Sequence, residues 1–157
     1  MKIISIDPGY ERVGIAILEK SKKETLIYSE CFKTSSTLPH SERLRLIGEK
    51  ITEIISQFGP KALAIEKLFF NTNTTTALKV AEARGVVLYS AALAGLAVHE
   101  YTPLEIKVAV TGYGRSDKKQ MMAMIPKLIT LEKEISSDDE FDAIAVGLTC
   151  CAVEKFS

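Results

Sequence analysis

A chain of 157 residues with 20 acidic and 20 basic side chains and 46% hydrophobic residues is composed like one globular domain, residues 1–157. No apolar run approaches membrane-spanning length, no signal-peptide pattern opens the chain, and the neutral total argues against nucleic-acid binding through bulk charge. Three cysteines (Cys31, Cys150, Cys151) and two histidines (His40, His99) supply neither a disulfide framework nor a zinc ligand set. The cysteines therefore read as small buried hydrophobes, and the cytoplasm is the expected compartment.

Residues 2–7 read as a strand, 13–19 as its hairpin partner after Pro8-Gly9, and 25–33 as a third, weakly alternating strand. Helical spacing of Leu44, Ile47, Ile51, Ile54, Ile55 and Phe58 predicts a helix over 41–58, closed by Gly59-Pro60. The unalternating run 62–66 suits a buried central strand. Polar residues 71–74 predict a loop and an N-cap, followed by a helix over about 75–94. The apolar positions of that helix spread around most of its circumference, more than one core face needs. Residues 97–101 fit a fifth strand, and helices fit 103–110, 117–130 and 139–155. Antiparallel strands followed by alternating helices and strands predict an α/β domain: a five-stranded mixed sheet flanked by helices.

Four acids fall at the ends of these elements. Asp7 closes the first strand and Glu66 the fourth, while Asp139 and Asp142 stand three apart at the head of the last helix. Such a pair shares one helical face, and the D-x-x-D spacing favours Asp139 over Asp138 as the partner of Asp142. Taken singly, each acid has an ordinary reading: a turn residue, an exposed strand end, or a pair stabilised by the helix dipole. Taken together, strand ends and a helix head converge in this architecture, and clustered carboxylates need a cation. An oxygen-only ligand set suits Mg²⁺ or Mn²⁺, which points to metal-assisted phosphoryl chemistry.

Charge is also local. Lys107, Arg115, Lys118 and Lys119 face only Glu105 and Asp117 in their stretch, a basic loop suited to backbone phosphate. Residues 112–118 lack the Gly-Lys-Ser/Thr ending of a phosphate loop. Asp7-Pro8-Gly9 also suits the phosphate hairpin of actin-like kinases, but those need two domains, more than 157 residues supply. Adjacent Phe69 and Phe70 read as core or dimer contacts, or more sharply as a wedge stacking on an unpaired base.

In order and spacing, these residues resemble the RuvC family of bacterial Holliday-junction resolvases, which have a ribonuclease H-like fold. The resemblance rests on Ile4-Ser5-Ile6-Asp7-Pro8-Gly9 with Gly14, on Ala64-Ile65-Glu66-Lys67-Leu68-Phe69, and on Ala77-Leu78-Lys79 with Ala83-Arg84-Gly85. It continues through Lys107, Gly112, Gly114 and Lys118 to Asp139-Glu140-Phe141-Asp142-Ala143. It implies an endonuclease that resolves four-way DNA junctions by symmetric nicking during recombination and repair, as a homodimer, with the RuvA–RuvB branch-migration machinery. By motif position it implies Asp7, Glu66, Asp139 and Asp142 as metal ligands and catalytic acids, Lys107 and Lys118 as basic residues beside them, and Phe69 as the aromatic that meets junction bases. Two Mg²⁺ per subunit, with Mn²⁺ able to substitute, would balance four carboxylates and serve both oxygens of an in-line displacement. Lys118 would neutralise transition-state charge or orient water, and Arg115 and Lys119 would contact DNA. The apolar helix 75–94 is the candidate dimer surface. Two other readings stay open: a ribonuclease H-like nuclease acting on hybrid or duplex, and a weakly catalytic junction-binding module.

Overall fold

In the computed structural model, which describes residues 1–69 and 74–156, five strands form one mixed sheet. They are β1 (Lys2–Asp7), β2 (Arg12–Glu19), β3 (Thr25–Lys33), β4 (Ala62–Glu66) and β5 (Ala97–Tyr101), in the order β3-β2-β1-β4-β5. β1–β2 and β2–β3 pair antiparallel, whereas β1–β4 and β4–β5 pair parallel. Five helices flank the sheet: α1 (His40–Phe58), α2 (Thr74–Leu93), α3 (Pro103–Thr111), α4 (Lys118–Leu128) and α5 (Asp138–Val153). The expected α/β architecture is borne out. Phe70 and the loop expected at 71–73 lie outside the described residues.

Alternation along the strands assigns the two faces. Ile4, Ile6, Ile15, Ile17, Leu63 and Ile65 are buried in one apolar cluster with residues of α1 and α2. Ile3, Ala16, Leu18 and Ala64 belong to the opposite cluster, with α3, α4 and α5. Asp7 shares parity with Ile3, and Glu66 with Ala64, so both acids end strands on the α5 side. α5 is buried along most of its length, from Ala143 to Cys151. It lies close on β2 because Gly147 has no side chain: a Cβ there would meet Leu18 Cδ1 at 2.6 Å and Ser5 Oγ at 2.7 Å.

Helix ends follow local chemistry. Thr102 with Glu105, and Asp117 with Gln120, form reciprocal capping boxes at the starts of α3 and α4. Gly59 and Gly112 end α1 and α3 at φ 60° and 74°, where a side chain would be strained. α4 stops at Leu128, short of the expected residue 130, because Thr130 leaves to pair with β3: Thr130 N–H donates to Glu24 O (3.0 Å) and Leu26 N–H to Thr130 O (3.1 Å). α5 stops at Val153, short of the expected 155. There Lys20 Nζ donates to the carbonyls of Cys151 (2.6 Å) and Glu154 (2.7 Å), holding the chain as it leaves the helix. Among the described residues, no helix is long and apolar enough to cross a membrane.

Candidate active site

β1 and β4 run parallel as neighbours, with Ile6 beside Ile65, so the next residues, Asp7 and Glu66, emerge together at their carboxyl ends. α5 brings Asp139 and Asp142 to the same place. The approach depends on Gly14, which pairs with Asp7 across β1–β2. A Cβ at Gly14 would overlap the Asp139 carbonyl and lie 3.1 Å from Asp7 Cβ. Ser137 caps α5, its hydroxyl accepting from Asp139 N–H at 3.2 Å.

The electrostatics record the convergence. Burial, with the charges of Asp142, Glu66 and Asp139 adding to it and Lys118 opposing, raises the Asp7 pKa from 3.8 to about 8. Burial also raises Glu66, with Asp142 adding to it and Lys118 and Lys107 opposing. Asp142 is raised by burial and by Asp139 and Asp138, although Lys118 holds it down. Lys118 Nζ donates to both oxygens of Asp142, at 2.7 and 2.6 Å. Burial disfavours the Lys118 charge, but Asp142, Asp138 and Asp7 outweigh it, so its pKa rises.

Asp139 and Asp138 differ in surroundings. Asp139 is half-buried, 3.5 Å from Arg12 Nε, and accepts from the Cys31 thiol at 3.5 Å. Asp138 is exposed. Lys107, on α3, and Lys118 line a cavity of about 310 Å³ together with Glu66 and Asp142, floored by Ile106, Met121, Ile125 and Phe141. Phe69, 56% exposed, lines a neighbouring recess with Asp7 and Glu66. Arg115 and Lys119 are exposed on the α3–α4 side of the site.

The donor chemistry fits a hard divalent cation: oxygen-only ligands, one of them raised to about 8 by burial and its fellow acids. Among the described residues, no three potential ligand side chains are yet gathered on one point. Lys118 accounts for part of this, since its ammonium already occupies both oxygens of Asp142.

Several contributors were not legible in the sequence. Arg84 of α2 donates from Nε to the Glu66 carbonyl (3.1 Å) and pairs with Glu100, fixing the end of β4. Glu140 is buried beside the acidic pair and is not part of it: it accepts from Ser29 Oγ and Lys133 Nζ, both at 2.8 Å, and so anchors the head of α5 to β3. Cys31 departs from the buried-hydrophobe reading. It is only half-buried and touches Asp139, because its position on β3 faces the head of α5. Most of their partners lie far off in the chain: Glu100 is 16 residues from Arg84, Asp139 108 from Cys31 and Ser29 111 from Glu140.

Acids at the ends of two parallel central strands and on the helix packed across them, in this strand order, define a nuclease of the ribonuclease H-like class. Residues 3–150 match the model of the family described as crossover junction endodeoxyribonuclease RuvC. The crossover junction endodeoxyribonuclease RuvC of Alkaliphilus metalliredigens is 46% identical over 149 residues, 94% of this chain and 91% of that one. T. thermophilus RuvC, solved in complex with a Holliday junction substrate, superposes with a TM-score of 0.90 at 32% identity, covering 97% of this chain and 93% of that one. The yeast mitochondrial Holliday junction resolvase has the same fold, with a TM-score of 0.71 at 12% identity, covering 96% of this chain and 78% of that one. The chain belongs to the RuvC family of crossover junction endodeoxyribonucleases.

Proposed function

We propose that this protein resolves four-way DNA junctions by nicking two strands symmetrically, using divalent cations held by Asp7, Glu66, Asp139 and Asp142. The observation that carries the reading is the raised pKa of Asp7, Glu66 and Asp142, buried together at one place, within a chain that matches the family along nearly its whole length. When bound, two Mg²⁺ would polarise the scissile phosphate and stabilise the attacking and leaving oxygens, and Mn²⁺ would substitute.

The chain's own residues bind and orient. Lys118 Nζ, now on Asp142, is placed to turn to a phosphate oxygen and neutralise charge that develops there. Lys107, close enough to oppose the charge of Glu66, attracts the same phosphate from α3. Phe69 stands beside Asp7 and Glu66 with its ring exposed, suited to stack on a base displaced next to the cut. Arg115 and Lys119 take flanking phosphates.

A four-way junction has two-fold symmetry, so a two-fold dimer presents two equivalent sites. The reading assigns the dimer contact to α2, where Leu78, Tyr89 and Leu93 are 57, 68 and 75% exposed. Val86, Tyr89 and Leu93 also line a groove between α1 and α2. Family membership supports the RuvA–RuvB branch-migration complex as the partner and recombination and repair, in the cytoplasm, as the setting.

The test is cleavage of a synthetic four-way junction, a duplex and an RNA–DNA hybrid with Mg²⁺. Paired symmetric nicks on the junction alone are expected. Preferential cutting of duplex or hybrid would refute the resolvase reading in favour of another ribonuclease H-like activity, and tight junction binding without cleavage would reduce the protein to a binding module.

A further inference from the structure

The turn between α3 and α4 is braced by a set of local hydrogen bonds. Tyr113 N–H donates to Thr111 Oγ1 (3.1 Å), and the Tyr113 carbonyl accepts from Ser116 Oγ (2.5 Å) and Ser116 N–H (3.2 Å). Ser116 is 2% exposed, yet Tyr113, at the tip, is 56% exposed. Local polar groups are thus spent on holding a large aromatic side chain out of the core.

Beside Tyr113 is a hollow of about 290 Å³, lined also by Thr111, Ser116, Gln120, Ala123 and Met124. Its chemistry is specific. The Gln120 carbonyl oxygen accepts from Asp117 N–H at 2.9 Å, which leaves the amide Nε2 with hydrogens to donate. Met124 adds a polarisable thioether that suits an aromatic face. Glu105 and Asp117 are engaged in their capping boxes, whereas Arg115 and Lys119 are exposed and have no acidic partner among the described residues. The hollow also adjoins the catalytic cleft, because Ser116 lines both.

We propose that this hollow receives an unpaired nucleobase of the junction, stacked on Tyr113, with Arg115 and Lys119 on the adjoining phosphates. The proposal rests on the resolvase reading and adds a second base contact, on the far flank of α4 from the acids. A base within a duplex has both faces covered by its neighbours, so only a splayed base offers one to Tyr113. The occupant is a base and not a phosphate alone, since an anion has no use for the exposed ring and the thioether.

The test is fluorescence anisotropy with a four-way junction and a set of junctions carrying one abasic site each near the crossover. Tyr113→Ala is expected to raise Kd at least about fivefold on the intact junction, and Tyr113→Phe to stay near wild type. One abasic position should weaken the wild type by the same factor and erase the difference between wild type and Tyr113→Ala. A Kd within twofold of wild type for Tyr113→Ala would overturn the proposal and leave the exposed ring to a protein partner. An abasic scan that is flat for the wild-type protein would overturn it too, whatever the folding of the variant. Nicking by the wild type is scored on the same substrates: its absence strikes the resolvase reading, while nicking with a flat scan strikes the hollow alone.

Discussion

Burial pushes the Asp7 pKa up to about 8, with Asp142, Glu66 and Asp139 adding to the effect and Lys118 opposing it. Between its unfolded value of 3.8 and that folded value, the folded state keeps a proton that the unfolded chain has released. Stability therefore falls as pH rises through this window and levels off above it. Asp7→Asn removes the penalty. Thermal unfolding in chelator should show the variant more stable than wild type at pH 8, by at least about 1 kcal/mol, with the gain vanishing as pH falls towards 4. Added Mg²⁺ should raise the wild-type Tm more than the variant's, and the variant should bind junctions without nicking them. At the head of α5, Asp139→Asn should cost far more nicking than Asp138→Asn, since Asp139 is half-buried within the field of Asp7 and Asp138 is exposed. Equal losses measured in parallel cleavage assays would show that both acids share the role. Phe69→Ala should slow turnover on an intact junction and recover part of the loss on one already unpaired at the crossover. A loss of equal size on both substrates would make Phe69 a packing residue.

Elements reach the site through few contacts, and those are the places where substitution should tell. β1 and β4 run parallel side by side, and the end of β4 is held by Arg84 through the Glu66 carbonyl and Glu100. α5 is registered on the sheet at two glycines and one buried acid. Glu140→Ala would leave the Ser29 hydroxyl without its partner and Lys133 with only the Ser29 carbonyl, at a cost of about 2 kcal/mol in chemical denaturation. Because that contact also sets the head of α5, the same variant should lose nicking beyond what its stability explains. How much of this was legible follows from the range of each signal. Strand ends, helix spans and the D-x-x-D pair depend on neighbours within a few residues, and they were readable to within a residue or two. The two helix ends that fell two residues short were decided by distant groups: Thr130 is claimed by β3, and the carbonyls ending α5 by Lys20.

At the scale of the whole molecule, α2 divides its apolar residues between two duties. Ala83, Val87 and Ala91 are buried against the sheet, which leaves Leu78, Tyr89 and Leu93 on the outside. This is why its apolar positions wrapped so much of the helix. Leu78→Glu should separate a dimer into folded monomers, because an exposed position tolerates charge in the monomer but not in an interface. Sedimentation at micromolar concentration, with circular dichroism as the check on folding, distinguishes that outcome from a wild type that is already monomeric. Val86 is a poorer probe, since it packs on Gly48 of α1 and a charge there would also disturb the fold. The amino-acid sequence alone determined the five strands and five helices, the mixed sheet, the four acids and the basic stretch, because periodicity, caps and strand-end carboxylates are local consequences of side-chain chemistry. Tertiary structure alone decided that β1 and β4 are neighbours, that Gly14 admits the head of α5, that Lys118 sits on Asp142, and that Arg84 and Glu140 hold the frame. Each of those depends on two segments far apart in the chain meeting at one point, and burial at that point gives the acids their altered proton affinity.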